Sequence, residues 1–158
     1  MIHVVAISGG KDSTALALAL QCRQPHIRHI FVCTPTGDEL PEMIAHWQVL
    51  EIMLSSPILR VTLPIGLNGL IEHYGALPNN RQRWCTRQLK IQPYREWLKR
   101  ISTYSDVVSY VGLRADEEER AGGIYDDIAG VEQRYPLREW GWTETDVWSF
   151  LDQKNVRI

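Results

Sequence analysis

Ile2-His3-Val4-Val5-Ala6-Ile7-Ser8-Gly9-Gly10-Lys11-Asp12-Ser13 decides the fold of this chain. The first half is a short apolar run of strand character, and the stretch that follows, Thr14 to Gln21, has helical character. A buried strand that opens through two glycines directly into a helix is an anion site. The glycines permit a tight turn, and their N–H groups join the unpaired N–H groups of the first helical turn. The helix dipole adds roughly half a positive charge at the same point. Ser8 and Ser13 supply hydroxyls and Lys11 a full charge, an arrangement suited to a phosphate or pyrophosphate. The P-loop of the common nucleoside triphosphatases is excluded, because it requires glycine where Val5 stands and Ser or Thr where Asp12 stands.

Outward from this unit, strand-like and helix-like runs alternate, the pattern of an α/β domain with a mostly parallel sheet. Strands are expected at Ile27 to Cys33, Ile58 to Leu63, Asp106 to Leu113 and Arg134 to Leu137. Pro41 opens a helix whose apolar face is Ile44, Trp47, Leu50 and Leu54. Pro64 to Arg83, with its Pro, Gly and Asn residues, reads as a mobile loop, and Cys85 to Ile101 as a helical region broken near Pro93. Thr143 is placed to cap a last helix with Val147, Trp148 and Leu151 facing inward. The expectation is a three-layer α/β/α domain with a doubly wound, Rossmann-like (HUP-type) sheet. Ligands of such sheets bind beyond the carboxyl ends of the strands, where strand order reverses. Most of the polar clusters of this sequence follow a predicted strand.

The length of 158 residues is that of one domain, 1–158, able to bury roughly two thirds of its unfolded surface. A net charge of −2 argues against a broad nucleic-acid-binding face. One local basic patch exists: Arg81 to Arg100 holds seven basic residues and one acid, enough to contact nucleic acid or an anionic substrate. No apolar run reaches membrane-spanning length, and Cys22, Cys33 and Cys85 show no metal or disulfide spacing. A cytoplasmic location and no membrane association are expected.

The string Ser8-Gly9-Gly10-Lys11-Asp12-Ser13 resembles the PP-loop of the ATP pyrophosphatase, or adenine nucleotide α-hydrolase, superfamily. Four further segments resemble its phosphoadenylyl-sulfate reductase-like (CysH-like) branch. Thr36-Gly37-Asp38-Glu39-Leu40-Pro41-Glu42 matches a Thr-Gly-x-Glu-x-Pro-Glu segment, with Pro35 where an acid or amide is usual; Glu42 reads equally well as a helix-start acid. Arg83-Trp84-Cys85-Thr86-Arg87-Gln88-Leu89-Lys90 matches Arg-Trp-Cys-Thr-x-x-Leu-Lys. Gly112-Leu113-Arg114-Ala115-Asp116-Glu117 matches Gly-x-Arg-x-x-Glu, with Arg120 one position early and Glu118 in place of a serine. Tyr135 to Trp148 resembles the branch's Pro-Leu-x-x-Trp ending, with two extra residues before Asp146 and Arg138 as its one candidate ligand contact.

The resemblance implies an enzyme that cleaves ATP between its α and β phosphates, giving AMP and pyrophosphate or passing adenylyl to an acceptor. Ser8, Gly9, Gly10 and Ser13 would hold the β and γ phosphates, with Lys11 offsetting charge on the leaving pyrophosphate. Asp12 would orient the loop or hold Mg²⁺, and Thr36, Gly37 and Glu39 would lie beside the nucleotide. Arg114, with Arg87 and Lys90, would stabilise the acceptor or the α-phosphate. The cofactors expected are therefore ATP and Mg²⁺. Reduction of a sulfonucleotide by a thiol is the alternative. It fits less well, because the loop is intact and the sequence has no cysteine after Cys85, whereas the reductases use one in a C-terminal tail. Cys85 itself stays open between a small packing residue and a nucleophile in a positive field. A third reading is an ATP-binding accessory subunit of a sulfur-transfer, nucleic-acid-modification or defence system. The acceptor and any protein partner are unassigned, and a homodimer is compatible with the sequence.

Overall fold

A computed structural model describes residues 1–62, 66–74, 87–117, 119–120, 123 and 125–158, without the side chains of 66, 67, 70, 74, 87 and 88. Five strands form one parallel sheet: β1 (Ile2–Ala6), β2 (His29–Cys33), β3 (Ile58–Arg60), β4 (Val107–Tyr110) and β5 (Val131–Arg134), in the order β3-β2-β1-β4-β5. The chain runs outward from β1 to β3, then returns to lay β4 against the other side of β1. Strand order therefore reverses between β1 and β4, the position at which doubly wound sheets bind ligands.

The two-residue period of the strands sorts their side chains onto two faces. Val5, Phe31, Cys33, Val108 and Tyr110 pack with α1 (Lys11–Arg23) and α2 (Pro41–Leu54). Val4, Val32 and Val107 pack on the opposite face with Tyr94 and Leu98. Helix α1 is buried continuously from Ser13 to Leu20. This explains why alternating Ala and Leu serve there in place of an amphipathic pattern.

Helix α3 (Gly66–Tyr74) occupies the middle of the segment expected as a loop; the rest of that expectation lies outside the described residues. The sequence spacing of Leu67, Leu70, Ile71 and Tyr74 is helical, and the flanking glycines obscured it. The break expected near Pro93 takes the form of a π-helical turn, Arg87–Ile91, that becomes α4 (Gln92–Ser102) with proline in its first turn. Proline lacks an N–H, so the change of hydrogen-bond pattern falls where no donor is lost. The short strand expected from Arg134 ends there, since Pro136 opens a single turn, α5 (Pro136–Glu139). Helix α6 (Glu144–Gln153) begins as the sequence indicates. Thr143 and Asp146 form a capping box, and Val147 and Leu151 are buried. Trp148, expected inward, is exposed, as is Ile44 on α2. Among the described residues no helix is long and apolar enough to cross a membrane.

Candidate functional site

At the β1/β4 reversal lies a cleft of about 610 Å³. Its floor is the carboxyl end of the sheet, with Ala6, Ile7 and Val32; its walls include Ser8, Gly10, Lys11, Asp12 and Ser13 on one side and Lys90, Ile91 and Tyr94 on the other. Thr36, Glu39, Leu40, Met43 and Trp47 close one end, and Gly112, Leu113, Arg120 and Tyr125 the other. The sequence segments after β1, β2 and β4 and the turn before α4 thus meet at one place.

The loop from Ser8 to Ser13 is organised by its own hydroxyls. Ser8 N–H donates to Ser13 Oγ at 3.1 Å, the two hydroxyls are 3.0 Å apart, and Gly10 N–H donates to Ser8 Oγ at 3.3 Å. Thr14 Oγ1 donates to the Gly10 carbonyl at 2.8 Å and meets His46 Nε2 at 3.0 Å. Gly9 has φ +92°, and a Cβ there would lie 2.1 Å from Met43 Sδ and 2.8 Å from Trp47 Nε1, so no other residue fits. Gly112 lies close on the opposite side: a Cβ on it would sit 3.2 Å from the Ser13 nitrogen. The start of α1 is thereby held between the turn after β4 and α2.

Asp12 sits within this frame at the centre of an ion-pair network. Arg114 Nη1 donates to Asp12 Oδ2 at 2.7 Å, and Arg114 Nε donates to Asp116 Oδ1 at 2.8 Å. Burial pushes the Asp12 carboxyl above its ordinary range, against the pull of Arg114 and Lys11. Arg114 is 12% exposed and stands behind Asp12 rather than among the residues lining the cleft. Among the described residues, the cations that do line the cleft are Lys11, Lys90 and Arg120, the last paired with Glu117 at 3.1 Å. Arg87 lies in the π-helical turn, and its side chain, like all of Cys85, is outside the described residues.

The second loop is held by Glu39. Its Oε1 accepts from Thr36 N–H and, at 2.8 Å, from Thr36 Oγ1, and its Oε2 accepts from Gly37 N–H at 3.1 Å. Burial alone would raise the Glu39 carboxyl, but these bonds outweigh it and hold the group below its usual range. Glu39 and Thr36 therefore shape the cleft wall, and Gly37 supplies a turn at φ +95°. Glu42 lies in the first turn of α2, away from the cleft, which favours its helix-start role. Arg138 is engaged by backbone. It donates from Nε to the Arg114 carbonyl at 3.2 Å and from Nη2 to the Glu117 and Arg120 carbonyls, clamping the turn that carries Arg114.

Two features were not visible in sequence. Trp47, expected only as helix core, reaches the cleft 4% exposed, and its indole N–H has no hydrogen-bond partner. Tyr94 donates or accepts across the sheet face to Ser109 Oγ at 2.7 Å, fixing α4 over the cleft. Neither described cysteine is poised for chemistry. Cys33 is buried at the end of β2, its thiol pushed up to about 11 by burial, and Cys22 lies exposed on α1.

Asp12 has its two carboxylate oxygens in different surroundings. One oxygen is tied to Arg114, the other is enclosed and unpartnered, and no group of three ligand-type side chains occurs among the described residues.

The sequence model of the phosphoadenosine phosphosulfate reductase domain family matches residues 2–158. An uncharacterized protein of Methanocaldococcus jannaschii is 27% identical over 161 residues, covering 96% of this chain and 36% of that protein. The chain thus spans about a third of the length of the curated relative it matches. The crystal structure of phosphoadenylyl-sulfate (PAPS) reductase from Candida auris, a phosphate complex, is similar in fold with a TM-score of 0.72. The two share 10% identity over 99% of this chain and 74% of that one.

Proposed function

The chain belongs to the phosphoadenosine phosphosulfate reductase domain family, and from that premise we propose that it binds ATP in the β1/β4 cleft and cleaves it between the α and β phosphates. The observation that carries this reading is the intact Ser8–Ser13 loop, with Lys11 and the start of α1 facing the cleft. A sulfonucleotide carries no β and γ phosphates, so a full polyphosphate cradle would have nothing to hold.

In this reading the β and γ phosphates displace the loop's internal hydrogen bonds. The N–H of Gly10 and the hydroxyls of Ser8 and Ser13 turn from one another to the phosphate oxygens, and the start of α1 adds its dipole. Lys11 offsets the charge that builds on pyrophosphate as it leaves, and Lys90 and Arg120 offer cations to the α-phosphate. Arg114 acts through Asp12, fixing the first turn of α1 from behind. ATP enters as its Mg²⁺ complex, with the ion carried on the phosphate oxygens as part of the substrate. The nucleophile is water or an acceptor oxyanion.

The second reading, thiol-dependent reduction of a sulfonucleotide, is favoured by the family match. Its nucleophile would be Cys85 or a thiol from outside these 158 residues, because Cys33 is buried and Cys22 lies away from the cleft. Incubation with MgATP, alone and with candidate acceptors, followed by product identification separates the two. AMP with pyrophosphate is the expected pair. ADP with phosphate, or no turnover of ATP alongside release of sulfite from an adenylyl sulfate, would discard the first reading.

A further inference from the structure

The charged groups around α1 close into a ring. Lys11 Nζ lies 3.8 Å from Asp12 Oδ2 and 3.4 Å from Glu144 Oε1. Asp12 is bound by Arg114, Arg114 by Asp116, and Asp116 Oδ2 accepts the backbone N–H of Glu144 at 3.3 Å. Asp12 Oδ2, Arg114 and Asp116 are thus bonded in series, while the nearest carboxylate to the Lys11 ammonium is that of Glu144, 53% exposed at the start of α6.

Glu144 is not needed to begin that helix. The N-terminus of α6 is capped by Asp146, which accepts from Thr143 N–H at 2.8 Å and Thr143 Oγ1 at 3.0 Å, and the helix is anchored by Val147 and Leu151. Its side chain is left to engage the one lysine that faces the cleft from the glycine-rich loop.

We propose that Glu144 is a specificity-determining residue, an electrostatic latch on Lys11 that only a ligand with β and γ phosphates opens. This rests on the reading of the loop as a polyphosphate site. A pyrophosphate group seated at Gly10 to Ser13 carries more charge than one carboxylate and takes Lys11 from it, leaving Glu144 to turn into solvent. A nucleoside monophosphate, with its charge further along the cleft, leaves the latch shut. The carboxylate thus raises the threshold for every ligand that must use Lys11 and is neutral for those that do not.

The test is isothermal titration of the full chain with inorganic pyrophosphate, ATP and AMP, in wild type, Glu144→Gln, Lys11→Met and the double variant. Glu144→Gln should bind pyrophosphate and ATP about two- to fivefold more tightly, the scale of an exposed ion pair, with AMP unchanged. The gain should vanish when Lys11 is already methionine, as a double-mutant cycle requires. Unchanged or weaker pyrophosphate binding in Glu144→Gln overturns the proposal. So does an equal gain for AMP, or a gain that survives Lys11→Met. If folded wild-type protein binds neither pyrophosphate nor ATP, the polyphosphate reading itself fails. If wild type binds both and the variant shows no gain, only the latch fails.

Discussion

Arg114 and Asp12 meet at 2.7 Å although 102 positions separate them in sequence. The pair joins the turn after β4 to the first turn of α1, so that the strands flanking the order reversal are tied by charge as well as by the sheet. Arg114→Ala leaves a half-buried carboxylate with its main partner gone, and the unfolding free energy should fall by about 1.5–3 kcal/mol. Arg114→Lys should recover only part of this, since one ammonium cannot reach Asp12 and Asp116 as a planar guanidinium does. Urea denaturation of the three proteins measures it. Wild-type stability in Arg114→Ala, with ATP affinity lost, would return the arginine to a direct ligand role.

The glycine-rich loop should be sensitive to charge without being sensitive to bulk at Gly10. A Cβ there meets nothing nearer than Ser8 Oγ at 3.6 Å, so Gly10→Asp folds and acts by repulsion alone. Gly10→Asp and Lys11→Ala should each weaken ATP binding by about 1.5–3 kcal/mol, the range for a hydrogen bond to a charged group. Calorimetric titration giving wild-type affinity in both variants would remove the nucleotide from this loop.

Gly112 predicts a different kind of effect. An added methyl would lie 3.2–3.3 Å from the backbone of Asp12 and Ser13, atoms fixed by a helix. Gly112→Ala should therefore cost about 1–3 kcal/mol of stability through overpacking. It should also shift the start of α1, weakening nucleotide binding along with the melting temperature. A variant with unchanged melting behaviour means that this approach is looser than the structure has it.

Cys85 should be dispensable for nucleotide turnover, because neither α,β cleavage nor adenylyl transfer uses a thiol. Steady-state assay of Cys85→Ser decides the matter. A drop in kcat of more than about a hundredfold with folding intact, or roughly 2.7 kcal/mol of transition-state stabilisation, would place sulfur chemistry first.

Acid should weaken the fold through the histidines at the amino ends of the strands. His29 is buried beside His3, donates from Nε2 to Gln24 Oε1 at 3.0 Å, and has its pKa lowered to about 4 by burial. Burial also lowers His3. A pKa below the unfolded value of about 6.5 means that the unfolded chain binds more protons between these limits. The stabilisation is whole above about pH 6.5 and is lost as pH falls through about 4. Denaturation midpoints measured from pH 7 to 4 should decline, and His29→Leu should flatten that decline.

The sequence made the strand, loop and first helix legible because all three are written locally: an apolar run, two glycines, a helical pattern. The Thr143 capping box was legible for the same reason. What lay hidden depends on contacts across the fold. Arg114 and Arg138 both read as ligand candidates in sequence, yet one grips Asp12 and the other three backbone carbonyls. Trp47 sits at a helical core spacing, and only the approach of Gly9 to α2 reveals that its N–H is stranded beside the cleft. Helix α3 went unread because its two glycines, Gly66 and Gly69, carry the statistical signature of a loop while the apolar period runs through them.

Among the described residues, the sheet ends on both sides in short strands, three residues in β3 and four in β5. One margin carries Arg60, bonded to the Ile58 carbonyl and to Glu51; the other carries Glu132, Gln133 and Arg134, the last paired with Glu139. Unpaired backbone at a sheet margin invites another chain to add a strand, and charge along it discourages that addition. With both margins brief and ionic, the fold resists growing into fibres. Raising the salt concentration, which screens those charges, is the condition under which self-association by strand addition should first appear.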